Sequence, residues 1–233
     1  MVGLTTDRRS PNHDPRPDAC PVDMLILHYT GMADASSALD RLADPAARVS
    51  AHYLIDEDGT VVPLVPEERR AWHAGFSGWR GHERLNDRSV GIELVNPGHA
   101  FGYRPFTEAQ YQALIPLAQA ILGRWPIPAR NVVAHSDVAP DRKEDPGELF
   151  DWPRLARAGI GLWPGAGPGA PRTPGKLQAQ LAEVGYPVPR HDRFDRATRQ
   201  VLAAFQRHWS PARVDGVPDR TTLARLDGLL ALL

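Results

Sequence analysis

The stretch GLWPGAGPGAPRTPG at residues 161–175 divides this chain before any helix or strand is assigned. Proline removes a backbone donor and glycine is costly to order. A run of both favours turns and extended chain over packed structure. Residues 1–160 are therefore read as one unit, 161–175 as a Gly/Pro-rich linker and 176–233 as a smaller second unit. The larger unit is long enough to bury a core of ordinary size.

In that larger unit VDMLILHY (22–29) is a short apolar run, expected to be a buried strand ending at His28. AHYLIDEDGTVVPLV (51–65) reads as a hairpin turning at Asp58-Gly59. SVGIELV (89–95) is a further buried strand, and NVVAH (131–135) a last short one that ends at His135. FTEAQYQALIPLAQAILGR (106–124) sets Leu114, Leu117, Ala118 and Ile121 at helical intervals behind Thr107 and Gln110, which have capping-box spacing. Pro116 deprives the Gln112 carbonyl of its partner and predicts a bend. Strands separated by helices indicate an α/β fold, a mixed central sheet flanked by helices. The second unit holds three apolar stripes: Leu177, Leu181 and Val184; Val201, Leu202, Phe205 and Trp209; Leu223, Leu226 and Leu230. Two of its segments, FDRATRQVLAAFQRHW and PDRTTLARLDGLLALL, echo one another, and Asp195 and Asp219 are good N-caps. A small C-terminal three-helix bundle is expected, with no chemistry visible in it.

Charge excludes some partners. Lys+Arg is 27 and Asp+Glu is 28, a formal net charge of −1, which gives no reason to expect nucleic acid or an anionic membrane. The single cysteine, Cys20, can form no internal disulfide and excludes a Cys-rich metal site. No run is long enough to be an integral membrane segment, and MVGLTTDRRSPNHDPRPDAC has no apolar leader core, so a cytoplasmic location is the expectation.

Chemistry is sought at the strand ends, where α/β sheets assemble their sites. His28 and His135 each close an apolar strand, where an unpaired imidazole is expensive. Zinc removes that cost: it accepts imidazole nitrogen and carboxylate oxygen, and a catalytic site uses three protein ligands and a water. Asp137 and Asp145 are both candidates for the third ligand. Asp137 follows His135 by two residues and tends to the opposite side of an extended chain, whereas Asp145 has enough loop to return. Reach and direction favour Asp145 without excluding Asp137. Glu93 is a carboxylate inside the apolar GIEL, where desolvation raises its pKa toward the range of a general acid or base. The competing reading is a surface-facing strand residue, since Ile92 and Leu94 share the opposite face. Lys143 is either a stabiliser of developing oxyanion charge or a solvated loop lysine. His13, His82, His99, His191 and His208 lie in polar or loop-like surroundings and are given no role.

Five segments then carry a resemblance: LILHYT (25–30), SAHYLIDEDGTVVPLV (50–65), AWHAGFSGW (71–79), LNDRSVGIELVN (85–96) and AHSDVAPDRKEDPGELFDW (134–152). In this order, over residues 10–160, they resemble the zinc-dependent N-acetylmuramoyl-L-alanine amidases of the type 2 family. These share a fold with T7-type lysozyme and the peptidoglycan-recognition proteins. The resemblance implies one Zn2+ per chain held by His28, His135 and Asp145, with Glu93 as catalytic acid/base and Lys143 stabilising the transition state. It places Tyr53, Trp72, His73 and Asn86 along a substrate groove. It also implies hydrolysis of the amide between the lactyl group of N-acetylmuramic acid and L-alanine, in peptidoglycan or in muropeptides such as 1,6-anhydro forms. The alternative is a non-catalytic peptidoglycan-recognition protein. LQAQLAEVGY, FDRATRQVLAAFQ and VDGVPDRTTLARL are similar to the three-helix peptidoglycan-binding module. That module makes a periplasmic or wall-associated location the alternative to the cytoplasm. A monomer is expected.

Overall fold

The computed structural model describes residues 8–233; residues 1–7, the start of the segment read above as lacking a leader core, lie outside the described residues. A five-stranded sheet forms the centre. Its strands, with two small ladders outside it, follow in chain order: β1 (His13–Pro15), β2 (Met24–Tyr29), β3 (Tyr53–Ile55), β4 (Val61–Pro63), β5 (Arg69–Ala71), β6 (Gly78–Trp79), β7 (His82–Glu83), β8 (Ser89–Leu94) and β9 (Val132–Ala134). The central order is β4-β3-β8-β2-β9, while β1 pairs with β5 and β6 with β7. Strands β3, β8, β2 and β9 are mutually parallel, and β4 runs antiparallel to β3. The β3–β4 hairpin turns where expected, at Asp58-Gly59. Gly59 has φ +88, which a residue with a side chain rarely adopts.

Alternation along the strands divides the core. Leu25, Leu27, Val90, Ile92 and Leu94 face one side. There they pack under helix α3 (Glu108–Arg124), through Leu114, Ala118 and Ile121, and under α5 (Trp152–Arg157), through Trp152 and Leu155; the one-turn helices α2 (Gly98–Phe101) and α4 (His135–Val138) precede and follow α3 in the chain. The Thr107–Gln110 capping box of α3 is present. Helix α3 continues through Pro116; Pro116 and Gln112 lie on its exposed side, where water can satisfy the freed carbonyl. Helix α1 (Ala35–Ala43) covers Leu54, Val62 and Leu64 on the other side through Ala35, Ala38, Leu39 and Leu42.

The C-terminal helices are α6 (Pro174–Val184), α7 (Arg196–Trp209) and α8 (Arg220–Leu230). Helix α6 starts inside the stretch read as linker, because Thr173 caps it and a proline at its first position loses no helical bond. Buried glutamines explain the internal echo. Gln178 Oε1 accepts from the backbone N–H groups of His191 and Asp192, and its Nε2 donates to Thr198. Gln206 does the same with Asp215, Gly216 and Thr222. Each helix is thereby tied to the loop that follows it and to the first turn of the next helix.

This bundle does not stand apart. Met24, Ile26, Val133 and Val138 of the sheet unit lie in one buried cluster with Leu181, Tyr186, Phe205 and Trp209. At its centre Asp137, fully buried, accepts from Ala134 N–H (2.8 Å), Tyr186 Oη (2.5 Å) and His208 Nδ1 (2.6 Å). The His208 ring stacks between Trp152 and Trp209, with both centroid separations 3.7 Å. Tyr186→Phe removes one hydrogen bond to a buried carboxylate and the acceptor of the Trp209 indole N–H. It is expected to lower stability by about 1.5–3 kcal/mol in urea unfolding, without loss of fold.

Candidate active site

Parallel pairing aligns the strand ends. His28 of β2 is directly opposite Glu93 of β8, so both side chains leave the same face of the sheet as neighbours. Leu27 pairs with Ala134, which puts His135 beside His28 at the C-terminal edge. Strand β9 ends at Ala134, one residue earlier than expected, and His135 opens the short helical turn α4 (His135–Val138). The chain then loops out and returns. The backbone N–H of Ser136 donates to the Asp145 carbonyl (2.9 Å), which fixes the returning strand of the loop against the turn.

Three donor atoms converge there. His28 Nδ1 and His135 Nδ1 are 2.9 Å apart. Asp145 Oδ2 is 3.1 Å from the first and 2.9 Å from the second. All three residues are buried, and together they make a group able to hold a metal ion. The far side of the His135 ring tests the fit. Its Nε2 faces the carbonyl oxygen of Ala74 at 3.3 Å. A carbonyl only accepts, so the proton sits on Nε2 and a lone pair on Nδ1. Two facing ring nitrogens and a carboxylate oxygen meet here out of water, and this donor set of two imidazoles and one carboxylate suits zinc. Burial, with His135 alongside, pushes His28 down to about 4, so it stays neutral and free to ligate. Asp137 does not take part. Its carboxylate is turned toward Tyr186 and His208, the hydrogen-bonding alternative to ligation.

Glu93, Lys143, His73, Trp72 and Tyr29 line a cavity of about 170 Å³ over the donor triangle. One oxygen of Glu93, Oε2, is buried and has no hydrogen-bond partner. Burial, reinforced by the nearby Asp145, pushes the Glu93 carboxyl well above its usual range, while Lys143 opposes the shift. The Lys143 ammonium makes no ion pair among the described residues, whereas the neighbouring Arg142 is occupied by the carbonyls of Ala74 and Phe76.

The expected groove residues separate. Trp72 lines this cavity and also an adjoining groove of about 570 Å³, and its Nε1 donates to Asp14. Asn86 lines only the second groove, where its Oδ1 accepts from the backbone N–H groups of His73 and Ala74. Phe76, 95% exposed, stands at the rim of that groove. His73 is buried against His28, with its Nδ1 3.0 Å from His28 Nε2. Tyr53 is a correction. It pairs with Ile92, on the face opposite Glu93, and its hydroxyl donates to Glu67 at 2.6 Å, away from the cavity. Sequence reasoning missed Ser89 and His208. Ser89 was visible in the alternation of 89, 91 and 93; His208 was not, since nothing local marks its partner Asp137.

The family model N-acetylmuramoyl-L-alanine amidase matches residues 18–148, and a peptidoglycan binding domain matches residues 174–226. The N-acetylmuramoyl-L-alanine amidase AmiD of Escherichia coli K12 is 43% identical over 231 residues, covering 90% of this chain and 82% of AmiD. The 1,6-anhydro-N-acetylmuramyl-L-alanine amidase AmpD of Enterobacter cloacae is 41% identical, covering 63% of this chain and 85% of AmpD. Among solved structures, E. coli AmiD in complex with the substrate anhydro-N-acetylmuramic acid-L-Ala-D-gamma-Glu-L-Lys superposes with a TM-score of 0.83 at 42% identity, over 98% of this chain and 94% of that one. Pseudomonas aeruginosa AmpDh3 in complex with anhydromuramic pentapeptide gives 0.81 at 33% identity, over 98% and 97%.

Proposed function

Since the chain belongs to the N-acetylmuramoyl-L-alanine amidase family, we propose that it is a one-zinc hydrolase that cuts the amide between the lactyl group of N-acetylmuramic acid and L-alanine in muropeptides, 1,6-anhydro forms included. The observation that carries this reading is the buried meeting of His28 Nδ1, His135 Nδ1 and Asp145 Oδ2 beside a carboxylate with an unpartnered oxygen. His28, His135 and Asp145 would hold the zinc, which would supply Lewis acidity toward the scissile carbonyl and lower the pKa of a water toward about 7. Glu93 takes a proton from the attacking water and delivers it to the departing L-alanine nitrogen; a carboxyl whose pKa burial has raised suits both transfers. Lys143 offsets the charge that grows on the carbonyl oxygen. Trp72, on the wall shared with the adjoining groove, offers an aromatic face for the sugar or the stem peptide.

Dialysis against a strong chelator is expected to abolish release of L-Ala peptides from anhydro-muropeptides, and one equivalent of zinc per chain to restore it. Release that persists in protein stripped of metal overturns the proposal. Rates on intact sacculi and on isolated anhydro-muropeptides, measured side by side, then decide between polymer and fragment as substrate.

A further inference from the structure

The ring of His28 has two nitrogens, and only its Nδ1 reaches the donor triangle. Which nitrogen carries the proton therefore decides whether His28 can ligate at all. We infer that Ser89, acting through His73, sets this tautomer: the two are positioning residues that keep the Nδ1 lone pair of His28 aimed at the metal position. This rests on the reading of His28 as a ligand.

The chain of bonds runs inward from a backbone carbonyl. Ser89 Oγ lies 2.7 Å from the Leu85 carbonyl oxygen, which can only accept. The single hydroxyl proton is spent there. Toward His73 Nε2, at 3.1 Å, Ser89 Oγ is thus an acceptor, and His73 Nε2 carries a proton. His73 is buried, and no carboxylate touches it among the described residues, so an imidazolium there would be an uncompensated buried cation. A neutral His73 protonated on Nε2 offers a lone pair on Nδ1. Facing it at 3.0 Å, His28 Nε2 must donate. The Ser89–His73 chain thus holds the His28 proton on Nε2 and leaves Nδ1 bare, against the pull of Asp145 Oδ2 3.1 Å from Nδ1.

The ring of His73 cannot swing out of this role. It lies flat against Gly91, where an added Cβ would come 2.5 Å from its Cγ and Nδ1. His52 packs edge-on at 5.6 Å, and Asn86 holds the backbone N–H of His73. Alternation on β8 places all the parts on one face: Ser89 accepts from His73, Gly91 makes room for it, and Glu93 enters the cavity.

The test reads the tautomer directly, in protein with the metal removed, by long-range 1H–15N correlation of the His28 ring. Wild type is expected to show protonated Nε2 and bare Nδ1. Ser89→Ala frees the His73 ring to reverse its polarity, so His28 is expected to populate the Nδ1-protonated form. Zinc affinity by chelator competition is then expected to fall by about 10–100-fold, with KM unchanged. Ser89→Thr, which keeps the hydroxyl, restores both readings. A wild-type His28 protonated on Nδ1 overturns the inference without any variant, and so does a Ser89→Ala protein with unaltered tautomer and affinity. The expected wild-type tautomer in a protein that takes up no zinc supports the bond chain and sinks the ligand assignment instead.

Discussion

Glu93→Gln protein is expected to carry its full complement of zinc and to turn over about 10²–10⁴-fold more slowly, the usual worth of a positioned general acid/base. The glutamine amide fills the same space but cannot take a proton. Glu93 lies outside the donor triangle, so metal content should stay near one per chain by elemental analysis. Stability should not suffer either. Burial disfavours the charge of the wild-type carboxylate, a cost that a neutral amide does not carry. Unchanged metal, an unchanged or higher melting temperature and a collapsed kcat together form a signature that a merely structural glutamate would not produce. Turnover within a few-fold of wild type would remove Glu93 from the mechanism.

The two aspartates after His135 should fail in opposite ways. Asp145→Ala deletes a donor 2.9–3.1 Å from both imidazole nitrogens. It is expected to lose zinc affinity by well over the roughly 10–100-fold typical of residues that only support a ligand, and to lose activity with it, while folding normally. Asp137→Ala leaves three buried donors, on Ala134, Tyr186 and His208, with no acceptor. At about 1–3 kcal/mol for each unmet group, it should lose roughly 3 kcal/mol or more of stability in urea unfolding. Its folded fraction should still take up zinc. The reverse pattern, zinc lost from Asp137→Ala and kept by Asp145→Ala, would overturn the choice of ligand.

What the sequence made legible was whatever depends on neighbours in the chain. The short apolar runs VDMLILHY and SVGIELV placed His28 and Glu93 on strands, and the caps at Thr107, Asp195 and Asp219 opened their helices as expected. Spacing alone left Asp137 and Asp145 both open, and only the family resemblance chose between them. Tyr53 was misplaced because a groove residue must lie on the correct face of its strand, and the face is fixed by pairing with Ile92, far along the chain. His208 looked like an ordinary polar position on α7; its meaning comes from Asp137, 71 residues earlier. The relation of the two units was hidden for the same reason. Glycine and proline in 161–175 announce a break in regular structure but carry no information about what packs across it.

Ile26, Val133 and Val138 turn their side chains toward Leu181 and Phe205, and Asp137 closes its shell with groups from the far end of the chain. The helical portion is thus no interchangeable cassette. A chimera that swaps in a different wall-recognition module, or an enzyme trimmed to its first 160 residues, inherits a bare oily flank and an ionisable group stripped of its hydrogen-bonding company. Re-engineering such a hybrid begins with repainting that flank.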